Sequence, residues 1–284
     1  MNGTPKSKTI RLIKDRCFKY LIIILSFVTT LPLFFILFSL AHKGISSINW
    51  QFFVNVPKPV GEPNGGIANA LWGTVILIVL ASLFSIPLGV LTGVYLSEFK
   101  KSRMAWVVGL CVDLLLGIPS IVIGIIAYLW LVKPLKHFSA LSGAVALALM
   151  MLPVIIKSTE ETLKLIPESL REASLALGAN YSTTILKVVL PAGISGILSG
   201  ILLGVARIAG ETAPLLFTAF GNPFMNWNIL KPVNSLPLII FDYAISPYEE
   251  WHRLAWGAAF VLVMMVLLLN LAVRFGSRRW RIRF

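Results

Sequence analysis

The sequence predicts an all-α membrane protein with six transmembrane helices, and three observations carry that expectation. The chain of 284 residues is 57% hydrophobic and only 13% charged, whereas a soluble domain has roughly a quarter of its residues charged. Its mean hydropathy is +0.85. Several apolar runs reach the length of about 20 residues that a helix needs to cross a hydrocarbon core. These runs do not alternate polar and apolar positions, which excludes a transmembrane barrel.

In order, the expected spans are Tyr20–Leu40, Asn69–Leu96, Met104–Val132, Phe138–Ile156, Pro191–Phe220 and Leu254–Phe275. Residues 1–19 read as an N-terminal tail and 20–284 as one transmembrane domain with a polar loop at 157–190. The first run follows basic residues as a signal peptide would. It is too long for a signal-peptide core and no small-residue cleavage site follows, so it reads as an anchor. The second span comes after His42–Ala68, which holds Pro57, Pro59, Pro63 and Gly65-Gly66 and reads as an irregular surface loop. Within the third, Gly117-Ile118-Pro119-Ser120 marks a kink, and Asp113 precedes it either snorkelling to the surface or lining a cavity. Gly196, Gly200 and Gly204 give the fifth a small-residue face for close helix packing. Between the fifth and sixth lies Gly221–Arg253, where Trp227, Tyr243, Tyr248 and Trp251 form an interfacial belt or meet an external partner.

The net charge of +13 invites a nucleic-acid reading, but its placement argues otherwise. Eighteen basic residues fall on the side shared by both termini, and six fall on the other. That asymmetry puts both termini in the cytoplasm and assigns the charge to topology and anionic membrane lipid rather than nucleic acid. Cys17 and Cys111 lie beside or inside apolar segments and read as small packing residues. His42, His137 and His252 are isolated, without metal-ligand spacing, and no metal or cofactor is expected.

Segment Ser158–Val189 is too polar to span and too patterned for a random linker. Leu163, Ile166, Leu170, Ala173 and Leu177 recur at helical spacing, with Glu160, Glu161, Glu168, Arg171 and Glu172 on other faces. Gly178 ends that helix, a second short helix runs from about Tyr181 to Val189, and Pro191 opens the next span. Such an element either lies on lipid or docks on a protein; its glutamates, which anionic lipid repels, favour docking. Here the sequence resembles the permeases of bacterial ABC importers, whose loop reads E-A-A, three residues, G, nine residues, I, one residue, L-P. Glu172, Ala173, Gly178, Leu190 and Pro191 stand in register, with Ser174 for the third-position alanine and Val188 for the isoleucine. The resemblance implies the type I importer architecture seen in methionine importers. It also implies cytoplasmic ATP-binding subunits on this loop and a periplasmic binding protein opposite. The chain has no G-x-x-x-x-G-K-[ST] phosphate loop; if ATP drives transport, another polypeptide hydrolyses it, and no catalytic residues are expected here.

In the fifth span, Arg207 and Glu211 are four residues apart and would share one helical face. They read either as a structural ion pair or as a polar lining whose planar guanidinium suits phosphate-like oxygens. The string from Gly204 through Arg207, Glu211, Thr212 and Pro214 to Thr218 resembles phosphate-importer permeases, nearer the PstA type than its PstC-type partner. That resemblance, covering about Asn69 to the C-terminus, makes Arg207, Glu211, Thr212 and Asp113 candidates for the phosphate path and a second, PstC-like permease the expected partner. The expected role is phosphate import across the bacterial inner membrane. The alternatives are another oxyanion or small solute, such as sulfate, molybdate or an amino acid, and a secondary transporter that needs no ATPase.

Overall fold

The computed structural model describes residues 5–277, so the basic residues at 278–283 lie outside the described residues. Helix α1 runs Pro5–Ser46, continuing back through most of the expected tail. Then follow α2 (Ala68–Glu98), α3 (Arg103–Gly117), α4 (Ser120–Leu135), α5 (Ala140–Lys164), α6 (Glu168–Ala176), α7 (Tyr181–Ala209), α8 (Leu236–Ala244) and α9 (Glu249–Ser277). Five helices are long and apolar enough to cross a membrane alone, and the bent pair α3–α4 is apolar enough to do so together, which makes up to six where the pair is counted as one span. Among the described residues all repeating secondary structure is helical.

Local chemistry sets the boundaries. Ser102, Ser139, Asn180 and Ser235 each cap a helix start by accepting a backbone N–H two or three residues on, replacing one intrahelical partner that a first turn lacks. The expected kink at Ile118-Pro119 is a bend of 107°, because a residue before proline is pushed out of the helical region. Pro134 and Pro191 are instead carried inside continuous helices. A proline ring clashes with the carbonyl four residues earlier, and a π-turn ends two residues before each proline, Tyr128–Val132 and Ile185–Val189, to widen the chain there.

Three helix ends differ from those expected. The fourth span does not stop at Ile156 but runs on to Lys164, until Pro167 breaks it. The fifth begins at Tyr181 rather than Pro191 and ends at Ala209 rather than Phe220, with Gly210 as its cap. A further correction concerns the cysteines, both of which are exposed rather than packed within this chain.

Helix α5 is the most enclosed span and organises the rest. Its longest pairing is with α2, and α7 lies along its other side. Lipid tails are as apolar as leucine, so helices in a membrane associate through close packing and interhelical hydrogen bonds. Gly89 and Gly93 of α2 sit directly over Ile155 and Thr159, and Gly196, Gly200 and Gly204 of α7 over Thr162, Ser158 and Met151. The expected small-residue face is real, and α5 is what it meets. Ser85 donates to the Ala148 carbonyl at 3.2 Å and Ser158 to the Gly196 carbonyl at 3.4 Å, tying the three helices together. Around them Leu77, Leu147, Met151, Ile155, Ile208 and Leu215 form the main core.

The loop expected at Gly221–Arg253 contains α8, whose Leu236–Ile239 are buried against the bundle. Its aromatics are partly used within the fold: Trp251 stacks on Tyr243 with centroids 4.7 Å apart, and Trp227 meets Trp72 at 4.6 Å. Helix α1 packs on α9 and otherwise presents its apolar surface outward.

Candidate functional site

The polar loop folds as a hairpin at the end of the bundle where α2 and α5 finish and α7 starts. Leu163 and Ile166, at the close of α5, are buried with Ile185, Val189 and Ile197 of α7 and form its base. Beyond Pro167 the expected periodicity holds for Leu170, which packs against that base, and then fails. No residue of α6 is buried, Ala173 is exposed, and Leu177, the last of the periodic positions, is 89% exposed at the tip. Gly178 turns the chain with φ +84°, and its N–H donates to the Leu175 carbonyl at 2.9 Å. Left-handed backbone there is the helix stop the sequence indicated. Ser174 does more than replace an alanine: its hydroxyl is 2.9 Å from that of Thr184, closing α6 on α7. The outward side of α6 shows Glu172, Ala173, Leu175 and Ala176, a mixed acidic and apolar surface without cover. Leu190 and Pro191 belong not to this surface but to the α7 shaft behind it.

Arg207 and Glu211 do not share a helix. Arg207 stands in the last turn of α7, and Glu211 lies beyond the Gly210 break, before the short turn Ala213–Leu216. They still meet, Nε to Oε1 at 4.0 Å, at the limit of an ion pair. Arg207 remains exposed on the side of this chain, with Glu211 and Thr212 partly covered beside it. The turn after them is fixed: Thr218 is fully buried and donates to the Pro214 carbonyl at 2.7 Å, and Gly124 of α4 packs against Pro214 with no room for a side chain. Arg207, Glu211 and Thr212 thus flank a rigid break in an otherwise apolar span.

Asp113 belongs to a different group. Its carboxylate pairs with Lys157 of α5 at 2.8 Å; Lys157 lies 3.5 Å from Glu160, and Glu160 pairs with Lys164. Alternating charges thus climb the last turns of α5, with Asp113 of α3 at one end. Sequence reasoning counted Lys157 and Lys164 only as topology markers. Their spacing of three and four residues from Glu160 was the available signal. Also missed was a group at the hairpin base, the enclosed pair Arg171–Glu98 with the exposed Tyr181 beside it.

Residues 85–281 match the family described as binding-protein-dependent transport system inner membrane component. The chain is 45% identical to the phosphate transport system permease protein PstA of Yersinia pestis, over 85% of this chain and 82% of that one. To the protein of the same name from Haemophilus influenzae it is 43% identical, over 84% and 85%. The chain belongs to the PstA-type binding-protein-dependent transport permeases. The fold agrees: the permease superposes on the inward-facing MetNI methionine ABC transporter with a TM-score of 0.66 at 21% identity, over 76% of this chain and 96% of that chain. The all-helical, methionine-importer-like architecture expected from the sequence is the one observed, with five candidate spans, or six with the bent pair counted as one. Family membership and the apolar spans together make this permease a multi-pass membrane protein.

Proposed function

We propose that this chain is the membrane-spanning permease subunit of an ABC importer that moves inorganic phosphate across the bacterial inner membrane, both termini cytoplasmic. A periplasmic binding protein delivers the anion and separate ATP-binding subunits supply the energy. The observation that carries this reading is Arg207, a cation left exposed beside a broken span in a chain whose relatives bear the name of phosphate permeases. Facing lipid, that charge costs roughly 2.5–3.5 kcal/mol. Facing an aqueous path closed by a second, PstC-like permease, it offers a planar fork of donors to phosphate oxygens, with Glu211 and Thr212 completing the polar surface.

An inside-negative membrane opposes anion import by about 2.3 kcal/mol per charge per 100 mV, so accumulation needs a motor. Glu172, Ala173, Ser174 and Gly178 make the hairpin the docking element for the ATP-binding subunits, and Leu190 and Pro191 root it in α7. Closure of those subunits pushes the hairpin and rocks the spans between outward and inward access. Asp113, tied to Lys157, serves the inner end of the path. The chain itself supplies no hydrolytic chemistry.

Uptake of radiolabelled phosphate by vesicles holding the full complex tests this, with sulfate and molybdate as competitors. Saturable, ATP-dependent uptake that unlabelled phosphate blocks and the other oxyanions do not is the expected result. Equal competition by sulfate or molybdate assigns a different anion, and uptake that survives ATP depletion removes the ABC reading.

A further inference from the structure

Arg171 lies on the docking helix but turns away from its outward surface. Its Nη1 donates to the Ile166 carbonyl at 3.0 Å, and its Nη2 to the Leu163 carbonyl at 3.2 Å and to Glu98 Oε1 at 3.0 Å. Glu98 is the last residue of α2, and its side chain is only 6% exposed. Its second oxygen accepts from the hydroxyl of Tyr181, the first residue of α7, at 2.7 Å. One group of three side chains therefore joins the ends of α2, α5, α6 and α7. The chemistry fits the place: closing carbonyls of a helix carry partial negative charge and lack intrahelical donors, which the guanidinium provides. A carboxylate this enclosed is tolerable only when paired and hydrogen-bonded.

The rest of the hairpin is loosely held. Helix α6 buries no residue, is bounded by the Pro167 and Gly178 turns, and packs mainly on the first turns of α7. Toward α2 a cavity of about 670 Å³ separates them, lined by Lys100, Lys101, Lys164 and Leu175 together with Glu98, Arg171 and Tyr181. A push on α6 alone would be absorbed in its two turns and in that open space. Glu98 and Arg171 bridge it, and α2 in turn packs along the length of α5.

We infer that Glu98, Arg171 and Tyr181 form the joint that transmits hairpin movement to α2, so that Glu98 and Tyr181 are positioning residues for transport rather than parts of the docking surface or the anion path. This rests on the reading that the hairpin docks the ATP-binding subunits. The joint's signature is uncoupling: ATP is still hydrolysed while transport lags.

The test uses the whole complex in liposomes with phosphate as the transported probe, measuring ATP hydrolysis and phosphate moved per ATP. Glu98→Gln should keep the ATP-binding subunits bound and hydrolysing ATP near the wild-type rate, with phosphate per ATP lowered at least about fivefold, the lower end of a typical coupling energy. Tyr181→Phe should lower it less. The exchange pair Glu98→Arg with Arg171→Glu should exceed Glu98→Arg alone in phosphate per ATP. An unchanged ratio in Glu98→Gln overturns the joint. So does a parallel fall of both rates, which marks a structural role. Crosslinking from Leu177→Cys in an otherwise unaltered chain reports separately on docking. A crosslink to an ATP-binding subunit with an unchanged ratio in Glu98→Gln refutes the joint alone, and no crosslink refutes the docking reading beneath it.

Discussion

A guanidinium on the outer side of a membrane-spanning helix has to be answered by something polar. Glu211 answers Arg207 only in part, at 4.0 Å and from beyond the helix end. Replacing Arg207 with leucine removes the costly charge, so the chain should still reach the membrane at its normal level. Phosphate uptake by the complex should fall by about tenfold or more, corresponding to some 1.4 kcal/mol of lost interaction. Arg207→Lys should fall between, because an ammonium keeps the charge and loses the fork. Immunoblots of membranes beside uptake rates check this; equal loss of level and uptake would make the pair structural. The sequence showed both charges because a lone Arg or Glu is conspicuous in an apolar run. It did not show the helix ending between them. A glycine inside a helical pattern costs only about 1 kcal/mol relative to alanine, and Pro214 suits the first turn of a new helix as well as it interrupts an old one. Asp113 met its partner by tertiary packing alone, and no local pattern points from it to Lys157.

At the scale of the element, the hairpin depends on Gly178 and the shaft behind it on small residues. At φ +84° an L-side chain costs roughly 1–2 kcal/mol, and nothing lies within 4 Å to clash with one. Gly178→Asp should therefore leave the bundle folded and inserted while redirecting the tip. The expected outcome is near-complete loss of uptake with normal membrane level, and normal uptake would refute the docking role. Gly200→Leu should behave oppositely. Ser158 fills the space where its side chain would go, and overpacking costs typically 1–3 kcal/mol, so α7 should part from α5. Membrane level and thermal stability in detergent should both drop, and a stable, abundant variant would show that the packing is slack. The motif that marks the hairpin was readable because its residues lie within one short stretch of chain at fixed spacings. The apolar periodicity holds through Leu170, which packs against the hairpin base, and fails at Ala173 and Leu177, which face outward.

At the scale of the whole molecule, the proposed function makes this chain one half of a permease pair. Composition and run length sufficed for six crossings, because a bilayer admits few ways to satisfy a backbone. They could not say which sides of the spans meet lipid, since apolar surface suits lipid and protein neighbours alike. The exposed surface of α1 is largely apolar in the span region, with Phe34 61% exposed and Phe38 60%. On α7, Leu203 is 63% exposed and stands one turn before Arg207, on the same side of the helix. If a second permease covers that side, a cysteine at Leu203 should crosslink to it when both chains are expressed together, and a lipid-soluble thiol reagent should label it slowly. A cysteine at Phe34, on a helix that packs within this chain mainly along α9, provides the comparison. Should Leu203→Cys react with the lipid-phase reagent as fast as Phe34→Cys and yield no crosslink, the side carrying Arg207 faces the bilayer. A paired path between two permeases would then have no wall on this chain.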